Sequence, residues 1–273
     1  MKRLVPLTLA VFFTSSLLAS CNMRFNNTGK KRAPLEFKVI RVEGNITYQA
    51  SGDEMKRGDS FPEKEPLVFK SALASAAVID SKLNRVILRP PSKKGKAYNL
   101  FPALNNVTPR AGAILNLIDF KAYFSDTLFL PNELKVTMNP EIFNIDDDHF
   151  LYLEYDYYGE EINKRIKVKD STMTIYRDGL FNIDGQPINP LKYGVMKMKL
   201  RDETKGQSTE IATFTFSAPK DLKAPKEEVR VIMSAYGDIR LKKKETTEAI
   251  LAYLSQFYGK INKRNMRNWM GVY

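Results

Sequence analysis

The chain has 273 residues, a formal charge of +12 and one cysteine. A lone thiol excludes an internal disulfide framework, and a lone histidine, His149, excludes a histidine-rich zinc centre. The positive charge sits at the two ends, with basic and acidic side chains in balance from Leu35 to Ile239, which speaks against a nucleic-acid partner.

The first element is a leader. Lys2 and Arg3 precede an apolar run from Leu4 to Leu18, and small residues follow. That is the layout of a secretory signal, and the run is shorter than the roughly 20 residues a spanning helix needs. It ends in Leu18-Ala19-Ser20-Cys21. This motif resembles the lipobox of bacterial lipoproteins. The resemblance implies cleavage between Ser20 and Cys21, a diacylglycerol on the Cys21 thiol and an acyl chain on the new amino terminus. No other cofactor is expected, and no metal. Residues 1–20 are then signal, and several acyl chains together hold a protein on a membrane. The expected place is the outer membrane, facing the periplasm. The inner membrane and the cell surface are the alternatives.

Residues 21–34 read as a lipidated basic tether. It carries Arg24, Lys30, Lys31 and Arg32 with no acid, and has no apolar periodicity. Its charge suits either anionic headgroups or plain solvation.

Residues 35–97 read as a small β-domain. Phe37–Val42 alternates, Gly44 turns the chain into Ile46–Tyr48, and Leu67–Phe69, Ala76–Ile79 and Val86–Leu88 are short strands between turn residues. Val42-x-Gly44-x-Ile46, Gly58-Asp59, Ala77-Val78-Ile79-Asp80 and Val86-Ile87-Leu88-x-Pro90 resemble the β-domain of FecR-like periplasmic proteins. The family's Asp-Gly turn before the last strand is replaced here by Asp80-Ser-Lys-Leu-Asn84. The resemblance implies a protein-contacting β-module, without the family's signalling role.

Residues 98–132 read as a connecting segment. Ile114, Leu115, Ile118 and Ala122, with Leu117 as a further candidate, fit one face of a short helix, and an extended crossover fits as well. Residues 133–235 predict an immunoglobulin-like antiparallel β-sandwich. Its strands are Phe150–Tyr158, Ile162–Val168, Met173–Tyr176, Ile183, Val195–Leu200, Ile211–Phe216 and Val229–Met233. Residues 236–273 predict an amphipathic helix with a basic-aromatic tail. Ile250, Leu251, Leu254, Phe257, Tyr258 and Ile261 make one stripe, and Thr246 or Thr247 suits its start. The fold class is therefore mainly β with a carboxy-terminal α-helix.

Chemistry-bearing residues are few. His149 beside Asp146, Asp147 and Asp148 lacks the alternating ligands and turn glycine of a calcium loop, and reads as a solvated acidic turn. No Gly-x-Ser-x-Gly elbow or phosphate-cradling glycine loop occurs. Glu160 and Glu161 sit in a hairpin turn, so the chain is not read as an enzyme, although carboxylate-only hydrolysis stays open as a third function. Tyr152, Tyr155, Tyr157 and Tyr158 divide between core packing and a binding stripe. The leading docking candidate is Lys260, Lys263, Arg264, Arg267 and Trp269, a basic-aromatic set suited to a membrane interface or an acidic partner. The expected function is a lipid-anchored structural or adaptor subunit of a cell-envelope assembly, bound to the membrane through its anchor and to an envelope protein partner. The alternative is a small ligand or glycan held on the sandwich loops.

Overall fold

Apolar residues alternating between turn glycines become strands, and the apolar stripes of the last third become helices. The structure, a computed structural model, describes residues 35–92, 96–103, 113–189, 194–237 and 244–272. Ser20, Cys21, the leader and the tether lie outside the described residues. Residues Pro34–Tyr273 make one compact unit. It is mainly β, with several antiparallel sheets, no closed barrel among the described residues, and helices at its carboxy-terminal end.

The first strands are β1 (Glu36–Glu43), β2 (Ile46–Tyr48), β3 (Ser60–Pro62), β4 (Leu67–Phe69), β5 (Ser75–Asp80), β6 (Arg85–Arg89) and β7 (Asn99–Pro102). Five of them form an antiparallel sheet ordered β3-β1-β5-β6-β7, and β2 pairs with β4. The sheet thus runs past residue 97 into β7. Gly44 makes the β1–β2 turn at φ +73°, and its bare Cα lets Ala74 approach. Both sheet faces are buried, which explains the unbroken apolar run of β5. Phe37, Val39, Val78 and Leu88 pack on Ile46, Met55 and Phe61. Ile40, Ala77, Ile79 and Ile87 face the other way, onto helices.

The middle of the chain forms α1 (Leu117–Tyr123), β8 (Thr127–Phe129), β9 (Glu133–Thr137), β10 (His149–Tyr157), β11 (Glu160–Arg165), β12 (Lys167–Lys169) and β13 (Thr172–Tyr176). Then follow α2 (Arg177–Leu180), β14 (Asn182–Ile183), β15 (Gln186–Pro187), β16 (Met196–Asp202) and β17 (Gln207–Ser217). A five-stranded sheet runs β11-β10-β16-β17-β8, and a three-stranded sheet runs β12-β13-β9. All pairs are antiparallel except β17 with β8. The two sheets share one core. Leu151, Leu153, Tyr155, Met196, Met198 and Phe214 meet Leu134, Val136, Met173 and Ile175 there.

Three helices complete the unit: α3 (Lys223–Tyr236), α4 (Lys244–Phe257) and α5 (Lys263–Met270). They bury Val229, Ile232, Ile250, Leu254 and Met266 against the outer face of the first sheet.

Four sequence expectations are corrected. Val229–Met233 is not a strand but the middle of α3. Val229, Ile232 and Met233 lie at helical spacing, Pro225 is tolerated in the first turn, and Gly237 caps the end at φ +64°. The carboxy-terminal helix is not continuous to Ile261. It stops at Phe257, and Ile261 is buried beyond the break. Thr246 and Thr247 do not precede α4 but are buried within its first turn. In α1 the inward residues are Phe120 and Tyr123, whereas Ile118 is 79% exposed and Leu115 lies outside the helix.

Burial also fixes an alkaline limit. Tyr98 and Tyr155 are pushed up to about 12 by burial, and burial carries Tyr123 and Tyr258 higher still. An unfolded tyrosine loses its proton near pH 10. The folded state therefore holds more protons than the unfolded state above that pH, and stability falls as pH rises from about 10 towards 12. Tyrosinate absorbance is expected to lag and then jump together with loss of circular dichroism. A smooth titration centred near pH 10 with the fold intact would contradict this.

Candidate functional site

α5 begins where Asn262 leaves the extended conformation. The Asn262 carboxamide oxygen accepts the Asn265 N–H at 2.8 Å, and its amide donates to the Tyr123 hydroxyl at 3.0 Å. One turn on, the buried Asn265 side chain acts as a strand partner. It accepts the Lys135 N–H and donates to the Lys135 carbonyl, both at 2.9 Å, and so covers the free edge of β9. Met266 is buried, and Trp269 is 6% exposed, edge-on to Phe129 at 5.2 Å between ring centres. Gly271 closes the helix at φ +69°.

These contacts sort the predicted docking set. Trp269 is a core residue and cannot serve as an exposed interfacial anchor. Lys260 lies in the strand-like link before α5: its N–H donates to the Thr127 carbonyl at 2.8 Å, and its ammonium meets Asp126 at 2.5 Å. Arg267 is half-buried. Lys263 and Arg264 point outward. The structure adds Lys226 of α3, whose ammonium lies 5.8 Å from the Trp269 ring centre. Sequence reasoning missed it because the adjoining Val229–Met233 was read as a strand.

Beneath this layer lies a buried carboxylate. Glu228 accepts the Tyr253 hydroxyl at 2.9 Å and the Tyr258 hydroxyl at 2.5 Å. Arg41 of β1 donates to Tyr258 at 2.6 Å and to Glu228 at 3.4 Å, with its guanidinium over the Phe257 and Tyr258 rings. Arg57 also reaches α3, pairing with Glu227 and donating to the Ala224 carbonyl at 3.4 Å. Burial and the facing Glu228 carboxylate raise Tyr253 well above its ordinary pKa. Both hydroxyls thus stay protonated as donors. The cluster joins the first sheet to α3 and α4.

The other singled-out residues are dispersed. His149 lies between Asp146 at 3.0 Å and Asp202 at 3.6 Å. Asp146 is pulled below the usual carboxylate range by the His149 backbone N–H. Among the described residues no group of three or more His, Cys, Asp or Glu side chains could hold a metal. Tyr155 is in the core, donating to the Leu180 carbonyl at 2.7 Å, while Tyr158 is exposed. On the outer sheet face Glu154 takes both Lys197 and Lys199, and the Lys199 hydrogen bond draws its pKa down. Glu160 and Glu161 are exposed. A groove of about 420 Å³ runs between β8 and the end of α4, lined by Asp126, Ser217, Gln256 and Lys260 among others.

No helix among the described residues is long and apolar enough to cross a membrane. Compared with known proteins, the chain matches no family model and no curated protein.

Proposed function

We propose that this chain is a lipid-anchored, periplasm-facing structural or adaptor subunit of a cell-envelope assembly. The observation that carries the reading is α5. The basic tail is a helix pinned by Asn262, Asn265 and Trp269, and it turns Lys263 and Arg264 outward. A pre-folded cationic helix suits docking on an acidic surface, because little backbone order is lost on contact. The Leu18-Ala19-Ser20-Cys21 motif supports the anchor. The sheets sharing one core, five strands over three, support a variant of the immunoglobulin-like sandwich in which β8 joins in parallel. The first β unit is then the protein-contacting module, welded to the helices through Glu228.

The test is in cells. Labelled palmitate is expected to enter the parent chain and not a Cys21→Ser form. Crosslinking of intact cells should join the parent to an envelope protein. Palmitate that fails to enter the parent chain would sink the anchor. A parent chain crosslinked to nothing would sink the adaptor.

The groove between β8 and α4 favours one second reading, a small polar ligand. It would raise the melting temperature on adding a cell-wall sugar, and Ser217→Phe would abolish the rise.

A further inference from the structure

The cationic surface extends beyond the tail. α3 presents Lys223, Lys226 and Arg230 at i, i+3 and i+7, which places them on one helix face. Lys226 meets α5 at the Trp269 indole, near the end of that helix, and Lys263 and Arg264 are exposed at its start. Among the described residues, Lys226, Arg230, Lys263 and Arg264 have no carboxylate within ion-pair distance. Lys223 only leans on Glu227 at 3.9 Å, and Glu227 is already paired with Arg57.

We propose that these exposed cations of α3 and α5 bind the phosphates of anionic phospholipid headgroups. The proposal rests on the anchored reading above and names the acidic surface that they meet: the bilayer holding the anchor. Two observations favour a bilayer over an acidic protein. First, the aromatic that would centre a protein interface is absent from the surface. Trp269 is buried under Lys226, and what remains is long, flexible cations. Tight protein interfaces depend on buried aromatic anchors and shape fit, whereas fluid headgroups need neither. Second, the link from Cys21 to the start of β1 is short. At about 3.5 Å per residue it spans at most roughly 50 Å, and its charges have the same sign as these cations. A body on so short a leash stays close to the headgroups.

The experiment uses the full chain carrying Cys21→Ser, so that no acyl chain holds it, and vesicles of phosphatidylcholine alone or mixed with phosphatidylglycerol. The apolar run contributes to both vesicle types, but Lys2, Arg3 and the tether's cations also favour anionic vesicles, so the contact is read from the difference between the parent and the charge-reversed variant. The parent is expected to prefer anionic vesicles at least tenfold at low salt, and to lose the preference at high salt. Each cation near an anionic surface is worth about fivefold in partitioning, so Lys263→Glu with Arg264→Glu should lower anionic binding about 30-fold or more. The emission of Trp269, the only tryptophan, should stay unchanged by the substitutions, which shows that α5 is still folded. Equal binding to both vesicle types overturns the proposal, as does a doubly reversed variant that binds like its parent. A protein crosslinked to Lys263 without any anionic preference overturns it in favour of an acidic protein surface. Failed palmitate labelling would strike the anchor alone and leave the headgroup contact standing. Intact labelling with failed vesicle binding would do the reverse.

Discussion

Glu228→Ala is expected to destabilise the protein by about 4 kcal/mol, because removing one partner of a buried charged cluster strands the others. Tyr253 and Tyr258 would each keep a hydroxyl with no carboxylate to accept it, and Arg41 would lose its nearest buried counter-charge. Glu228 is 3% exposed, so water cannot take its place without opening the joint. Glu228→Gln keeps the volume and one acceptor, and should cost about half as much. In a protein of this size the alanine form would melt roughly 10 °C lower. The measurement is urea unfolding of the parent, both variants and Tyr253→Phe, with a double-mutant cycle between Tyr253 and Glu228. A cost below about 1 kcal/mol for the alanine form would mean that sheet and helices are held together by apolar contact alone.

The first β unit was legible because its signals are local. Alternating residues and a turn glycine sit within a few positions of each other from Phe37 to Tyr48 and from Ala76 to Leu88, and β1, β2, β5 and β6 follow them. Val229–Met233 was ambiguous in a specific way. Val229, Val231 and Met233 fit a strand, while Val229, Ile232 and Met233 fit a helix. Pro225 and Gly237, spaced as helix start and stop, are the signal that decides it. β8 had no local signal at all. It is three residues long, its parallel partner β17 lies far along the chain, and the pairing exists only once the sheet is built.

At the candidate site the charges were legible and the aromatic was not. Lys263 and Arg264 are outside because nothing on the helix asks them to be inside. Trp269 looked interfacial beside its basic neighbours. Its burial depends on Phe129, which tertiary folding alone brings to it. The buried Asn265 was equally hidden, because its partner is the backbone of Lys135 and a backbone edge leaves no mark in side-chain composition. In α1 the aliphatic residues suggested one face, but the aromatic residues Phe120 and Tyr123 took the core, joined by Phe124 just past the helix.

Gly259→Ala is expected to cost about 4 kcal/mol, although it adds one methyl group. Gly259 ends the turn after α4 at φ +105°, a backbone conformation that L side chains rarely adopt. A Cβ there would stand 2.8 Å from the Thr127 carbonyl oxygen and 3.1 Å from the Leu128 carbonyl carbon. Neither atom can retreat. The Thr127 oxygen accepts the Lys260 N–H at 2.8 Å, and the Phe129 N–H donates to the Lys260 carbonyl at the same distance. These bonds lay the chain along the edge of β8 and deliver it to Asn262, where α5 starts. Relief of the clash must therefore break the link that docks α5. Gly237 supplies the control: it also has positive φ, at +64°, but no atom of the described residues comes within 4 Å of an added Cβ, so Gly237→Ala should cost only about 1 kcal/mol. Hydrogen exchange at the Phe129 amide and a red shift of Trp269 emission would report release of α5 in the Gly259 variant alone. Equal costs at the two glycines would show that backbone conformation, and not the close approach to β8, governs this junction.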